Sequence, residues 1–439
     1  MNRPVAGGVM FARRRRRLLR RLAGGVAVLT AAPVASYSRD ISYPFRQDSD
    51  FFYLTGLAEP EVVAVLAPGE RRGRFWLFIR PRDPDREVWE GPRAGLDEAR
   101  EIYGADVSRP LEELGATLEE LLAGARTLHY SGGGHRRIDR IVRRSVRRVR
   151  SRRRGLEVTE LSSLIHSMRL TKGDGELRTL RRAARITCDA HRLAMGVVAP
   201  GRFEYEIEAV LEGEFLRQGA SGPAYPSIVA SGPNACILHS DRNRRRMRSG
   251  DLVLIDAGCE FDYYSADVTR TVAVNGRFTP AQRDIYDLVL AAQEEAIATV
   301  RPGRRFVDPH QVASRVLAAG LVRLGLMQGS ATEIFESGRH RRYSLHRTSH
   351  WLGIDVHDVG PSGKDVRLRP GMVLTIEPGL YFPPDDRDIP ARYRGIGVRI
   401  EDDVQVTAGG RTVLTAAIPK QPHALERLVG TGVSSRSRS

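Results

Sequence analysis

Cysteine is scarce in this sequence. Cys188, Cys236 and Cys259 are the only three among 439 residues, and no CxxC pair occurs. That excludes a disulfide framework and a structural zinc knuckle, and points to a reducing compartment. Lysine is scarce too, with three (Lys172, Lys364, Lys420) among 69 basic residues. Long apolar runs are also missing. The uncharged stretch 22–38 has 17 residues, too short and too rich in Gly, Ala and Thr to span a bilayer. No internal repeat of about 20–50 residues is evident. Hydrophobic residues make up 41% and charged residues 28%, an ordinary globular balance that rules out collagen-like, coiled-coil or wholly disordered chains. The length suggests two domains, or three.

What is abundant is arginine. The net charge of +16 has the look of a nucleic-acid binder, but it is localised. Residues 1–22 carry eight arginines and no acid, and residues 135–154 carry eleven against Asp139. The remainder has 50 basic against 52 acidic residues. A neutral body with two Arg tracts, at 13–21 and 136–154, and almost no lysine reads as compositional bias rather than a nucleic-acid face.

The first 36 residues imitate a secretory signal peptide, with a basic region, an apolar stretch at 22–32 and small residues at 33–36. An amphipathic helix followed by a buried strand at 25–29 explains Val26, Val28 and Leu29 equally well. Residues 62–66 and 75–79 read as buried strands and 111–123 as a helix. Residues 136–154 read as a basic helix with one apolar stripe through Ile138, Ile141, Val142 and Val149. A polar, Gly-containing junction lies near 168–175. Beyond it Leu177, Leu180, Ala184, Cys188 and Met195 share one helix face, and a second helix covers 205–218. Thr279-Pro280-Ala281-Gln282 is a capping box opening a helix to Val300, and Asp308-Pro309-His310-Gln311 repeats that pattern. Strands are expected at 252–257, 268–274, 373–376, 397–400 and 404–406. The class is α+β, with helices packed on a largely antiparallel sheet. Residues 429–439 read as a disordered tail.

Acids recur at strand ends. Asp256 closes DLVLIDAG, Asp267 precedes a strand in YSADVTRTVAV, Glu377 follows GMVLTI, and Glu401 and Asp402 follow RGIGVRI. Close carboxylates repel and need a shared proton or a cation. SLHRTSHWLGIDVHDVG adds His346, His350 and His357. His346 and His350 have helical HExxH spacing, but Arg347 replaces the Glu, and Gly353 and Gly360 oppose a helix, so that zinc motif is rejected. A mixed carboxylate and imidazole set suits Mn, Fe, Co or Zn. His129, His135, His166, His191, His310, His340 and His423 read as structural or surface, and Asp262, Asp402 and Asp403 as turn or surface acids.

The order ILH, IDAGCEFDYYSADVTRT, HRTSHWLGIDVHDVG, EPGLYF, RGIGVRIED closely resembles the aminopeptidase P family, the Xaa-Pro aminopeptidases of pita-bread fold. SRDISYPFRQDSDFFYLTGLAEPEVVAVL resembles that family's N-terminal domain. The resemblance implies a smaller α/β domain at 1–165, then a pita-bread catalytic domain at 166–428. It implies two Mn ions, with Asp256 on one, Asp267 and Glu401 bridging, and His350 and Glu377 on the other. Cations about 3.5–4 Å apart would share a water, lower its pKa and present hydroxide to the peptide carbonyl. Glu377 would pass the proton to the leaving proline nitrogen, and His357 would stabilise the tetrahedral intermediate. His239 would contact substrate, His346 and Arg399 would line the proline side, and Tyr225 would bond a metal-bound carboxylate.

The implied reaction removes the N-terminal residue from Xaa-Pro-peptides in a cytoplasmic homodimer or homotetramer without membrane contact. Trp89, in EVWEGPR, would lie where a neighbouring subunit approaches the site, or else pack within its own domain. Prolidase, restricted to Xaa-Pro dipeptides, is the alternative. A non-catalytic pita-bread binding protein is the reading from another class. Arg347 departs from the family, which commonly has Gly there, so Arg347→Gly is expected to change substrate length preference.

Overall fold

The computed structural model describes residues 8–69, 74–361 and 365–433. The chain divides into two compact units between Arg169 and Leu170.

The first unit contains α1 (Gly8–Arg21), β1 (Val26–Thr30), α2 (Ser49–Thr55), β2 (Val63–Leu66), β3 (Phe75–Ile79), α3 (Pro84–Glu90) and α4 (Leu96–Glu101). It continues through β4 (Val107–Pro110), α5 (Leu114–Ala123), β5 (Thr127–Tyr130), α6 (Arg136–Arg152), β6 (Glu157–Thr159) and α7 (Ser162–Arg169). Six strands form one mixed sheet in the order β4-β3-β2-β1-β5-β6. β1 runs antiparallel to β2 and parallel to β5. The signal-like apolar stretch is thus an interior strand. Among the described residues no helix is long and apolar enough to cross a membrane. Residues 1–7 of the basic start lie outside the described residues.

The first Arg tract is partly internal. Arg14 and Arg15 are 6% exposed. Arg14 donates to Tyr53 O at 3.0 Å with its guanidinium 4.0 Å from the Tyr53 ring centre. Arg15 donates to Leu54 O and Tyr103 O and lies over Phe75. Both satisfy backbone carbonyls that would otherwise be buried unpaired. The second tract is an exposed helix as expected, with Ile138, Val142, Ser145, Val146 and Val149 of α6 buried. Trp89 on α3 is 87% exposed, which contradicts packing within its own domain.

The second unit opens with α8 (Asp174–Val197), α9 (Glu204–Arg217), β7 (Gly222–Pro223), β8 (Ile228–Ser231), β9 (Leu252–Asp256), β10 (Cys259–Phe261), β11 (Tyr264–Ser265) and β12 (Thr269–Ala273). Then come α10 (Pro280–Thr299), α11 (Asp308–Arg323), α12 (Ala331–Glu336), β13 (Val373–Ile376), β14 (Gly379–Tyr381), β15 (Gly397–Arg399), β16 (Asp402–Thr407), β17 (Gly410–Val413) and α13 (Pro422–Leu428). Its strand pairings are all antiparallel, in the ladders β12-β9-β8, β13-β16-β17, β11-β10-β7 and β14-β15. The five α8 residues named from periodicity are all buried. Thr279 caps α10, with the reciprocal Gln282 bond in place. The second expected capping box is absent. Asp308 is the first residue of α11 rather than its cap, and its carboxylate turns back onto Arg305 N and Nε. The expected tail at 429–439 lies in part outside the described residues, and Thr431–Val433 is a 3-10 turn.

His191 on α8 is wholly buried. Its Nε2–H donates to Ala257 O at 2.9 Å, and Nδ1 has no partner. Burial holds its pKa at about 4, against an ordinary 6.5. The unfolded chain therefore binds the extra proton between these values, so stability falls as pH drops from about 6.5 to 4. The full effect is about 3 kcal/mol. His191→Gln is expected to flatten this part of the melting temperature against pH curve. An equal acid slope in both proteins would contradict it.

Candidate active site

The chain brings the strand-end acids together. β9 pairs with both β8 and β12, and Asp256 lies opposite Thr269. The hairpin returning to Asp267 approaches closely at Gly258, where an added Cβ would lie 1.8 Å from Ala266 O. Glu401 N donates to Thr269 O, and Arg399 N to Thr271 Oγ1, which ties the end of β15 to β12. The histidine stretch is laid against β13. Thr375 N donates to His350 O at 3.0 Å, and Glu377 N to Thr348 O at 2.8 Å. Lys172 and Asp358, each about 1% exposed in their side chains, form a 3.0 Å ion pair that anchors the far end of this stretch.

Asp256, Asp267, Glu377 and Glu401 converge with His350 at one cavity of about 670 Å³. His350 Nδ1–H donates to Trp351 O at 3.0 Å. That leaves Nε2 facing Asp267 Oδ2 at 3.3 Å and Glu377 Oε1 at 3.4 Å. Ligand atoms of Asp267, His350 and Glu401 all fall within 4.8 Å of one another. Tyr225 Oη lies 2.7 Å from Asp256 Oδ1 and also contacts Asp267 Oδ1. One phenol proton cannot satisfy both carboxylates.

The electrostatics record the same crowding. Burial raises Glu377 to about 7, with the charge of Asp267 adding to it. Burial and the charges of Asp267, Glu377 and Asp256 push Glu401 well above the carboxylate range. Burial pulls His350 down, but Asp267 and Glu377 outweigh it and raise it to about 9. A dication between these groups would relieve each strain, so the residues present fit a metal.

The other residues singled out in the sequence line this cavity. His357 stands edge-on to His350, with ring centres 4.5 Å apart, and burial and His350 hold it below the ordinary imidazole value. His239 is exposed on the wall. Burial, then Arg399, holds His346 at about 4, and its Nε2 lies 2.7 Å from Tyr381 Oη. Arg399 pairs with Asp256 and donates to Tyr381 Oη at 2.7 Å.

Two acids read as surface or turn residues are 1% exposed. Despite burial, Arg270 and Lys420 hold Asp402 below the ordinary carboxylate range. Asp403 Oδ2 accepts from Asp267 N at 3.2 Å, Oδ1 has no partner, and burial with the Asp267 charge raises its pKa well. On β16 both side chains turn inward because the strand is buried along its length, which the polar letters of EDD conceal. Of the seven histidines read as structural or surface, His166 meets an acid, Asp50, at 3.0 Å, and His310 braces Thr348 Oγ1 at 3.0 Å. Tyr381, Phe306 and Trp351 were missed. Phe306 and Trp351 stack 4.1 Å apart and give the cavity an apolar wall. Only the aromatic letters of EPGLYF hinted at Tyr381.

A carboxylate and imidazole cluster built for a divalent metal, at the base of a substrate-sized cavity, is the arrangement of a metallohydrolase. The model of metallopeptidase family M24 matches residues 178–408, and that of the aminopeptidase P N-terminal domain matches residues 11–129. The chain is 44% identical over 428 residues to an Xaa-Pro aminopeptidase of Escherichia coli K12, covering 95% of this chain and 97% of that protein. It is 40% identical to one from Haemophilus influenzae, over 95% and 96%. The structure of Pseudomonas aeruginosa aminopeptidase PepP superposes with a TM-score of 0.94 at 44% identity, covering 98% of this chain and 99% of that one. The chain belongs to metallopeptidase family M24, in its aminopeptidase P branch.

Proposed function

We propose that the chain is a metal-dependent exopeptidase that releases the N-terminal residue from peptides with proline second. The observation that carries this is His350 Nε2 facing two buried carboxylates on one side of a peptide-sized cavity. Asp256, Asp267, His350, Glu377 and Glu401 would hold two Mn ions. When bound, such cations polarise the scissile carbonyl and lower the pKa of a water between them.

The chain's own groups supply the rest. Tyr225 holds Asp256 and Asp267 in place through its hydroxyl. Glu377, beside His350 at the edge of the cluster, is placed to carry the proton to the proline nitrogen, which has no N–H of its own. His357, neutral at pH 7, donates to the developing oxyanion. His346, Arg399 and Tyr381 form one bonded group beside the proline position, and His239 faces it from the wall.

The exposed Trp89 fits a homodimer or homotetramer in which a neighbouring subunit meets it. The cysteines are unpaired and Cys188 and Cys259 are buried, which fits a reducing, cytoplasmic setting. Turnover of an Xaa-Pro-Xaa tripeptide is the expected result with purified, metal-loaded protein. Turnover of the Xaa-Pro dipeptide alone would make the chain a prolidase, and turnover of neither would favour the non-catalytic reading.

A further inference from the structure

Among the described residues, Arg347 is the one cation on the cavity wall without an anionic partner. It sits between His346 and Thr348, lines the cavity, and is exposed. Its main chain is held from both sides. His346 Nδ1 lies 2.9 Å from Arg347 O, and Thr348 is fixed by Glu377 N and by His310. Thr348 therefore packs behind the wall, buried, while Arg347 is left on the cavity side.

The other charges are accounted for. Arg399 is spent on Asp256, and Asp358 on Lys172. Asp267, Glu377 and Glu401 belong to the metal centre and would be neutralised by dications. Asp241 is exposed on the wall and, like Arg347, has no ion pair within 4.0 Å among the described residues. A guanidinium without an anion thus faces a peptide-sized space.

We propose that Arg347 binds a carboxylate on the leaving part of the peptide. The carboxylate is either the C-terminus of a tripeptide or an acidic side chain on the third residue. This rests on the Xaa-Pro peptidase reading and adds a substrate preference to it. A guanidinium grips a carboxylate through two parallel N–H bonds, which lysine cannot reproduce. With the scissile bond over the carboxylate cluster, the third residue lies about two residue lengths away, about 7 Å. Arg347 follows His346, whose ring lies 3.5 Å from Glu377, on the wall of the same cavity. Each further residue moves the C-terminus about 3.5 Å onward, so the preference for a free terminus fades with peptide length.

The test compares kcat/KM ratios within each enzyme. Wild type is expected to favour Xaa-Pro-Ala over Xaa-Pro-Ala-amide by about five- to tenfold, the range of a half-exposed charged hydrogen bond. Xaa-Pro-Glu-amide against Xaa-Pro-Gln-amide gives the side-chain source of the same chemistry. Both ratios should fall toward one in Arg347→Met and Arg347→Gly, and only partly in Arg347→Lys. They should shrink in high salt. As a second readout, metal-free protein should bind the product Pro-Ala more tightly than Pro-Ala-amide by calorimetry, and the Met variant should not. Ratios near one in wild type, or unchanged ratios in the Met variant, would overturn the inference. If metal-loaded wild type turned over no Xaa-Pro peptide, the peptidase reading would fall and this inference with it.

Discussion

Asp267→Asn is expected to abolish peptide turnover, by at least about 10³-fold, without weakening the metal-free fold. The loss reflects the several kcal/mol that a correctly held cation contributes to the transition state. The fold should hold because, in the absence of metal, repulsion between Asp267 and its neighbouring acids offsets its attraction for His350. Its charge raises Glu377, Glu401 and Asp403. Removing it relieves three buried acids at once. The metal-free variant should therefore melt at or above the wild-type temperature, while its bound metal content falls. A variant that melts much lower and has lost activity in proportion would make Asp267 structural instead.

The second large effect lies under the site. Arg270 is 0% exposed and makes five hydrogen bonds, to Thr269 O, Glu401 O, Pro419 O, Ile418 O and Asp402 Oδ1. Asp402 also accepts from Gln293, Lys420 and Thr415. Arg270→Met removes one partner of a buried ion pair and takes a donor from four carbonyl groups. Stability should drop by about 3–5 kcal/mol, read from denaturant unfolding. Glu401 should also hold metal less firmly, because its main chain is one of the groups released. Asp402 keeps Lys420 at 3.0 Å, so the cost falls on the released carbonyls rather than on a stranded charge. Asp402→Asn in the same chain should then recover little, and full recovery would mean that the carboxylate sets the cost.

Much of this was legible in the sequence. Helix starts with a complete local grammar could be read directly, as at Thr279, because all their bonds lie within four residues. Asp308 carried the same letters and did something else, since Arg305 just upstream competed for its carboxylate. The strand-end acids were legible as a set because each interrupts an apolar run. What stayed hidden was direction. Asp402 looks like a surface residue until Arg270 and Lys420 are brought to it from positions 132 and 18 residues away, and Asp403 until Asp267 N reaches it. Arg14 and Arg15 look like a solvated tract until Tyr53, Leu54 and Tyr103 present carbonyls to them. In both cases partners distant in sequence, absent from any local pattern, decide which charges go inside.

The most direct test of the account is metal-dependent cleavage by the whole protein. The enzyme would be stripped with a chelator, given Mn in measured amounts, and assayed on an Xaa-Pro-Xaa tripeptide with product identification. The account predicts no turnover when stripped, recovery that saturates near two Mn per chain, and release of the first residue only. Cleavage that survives the chelator, or that occurs at another bond, would contradict it.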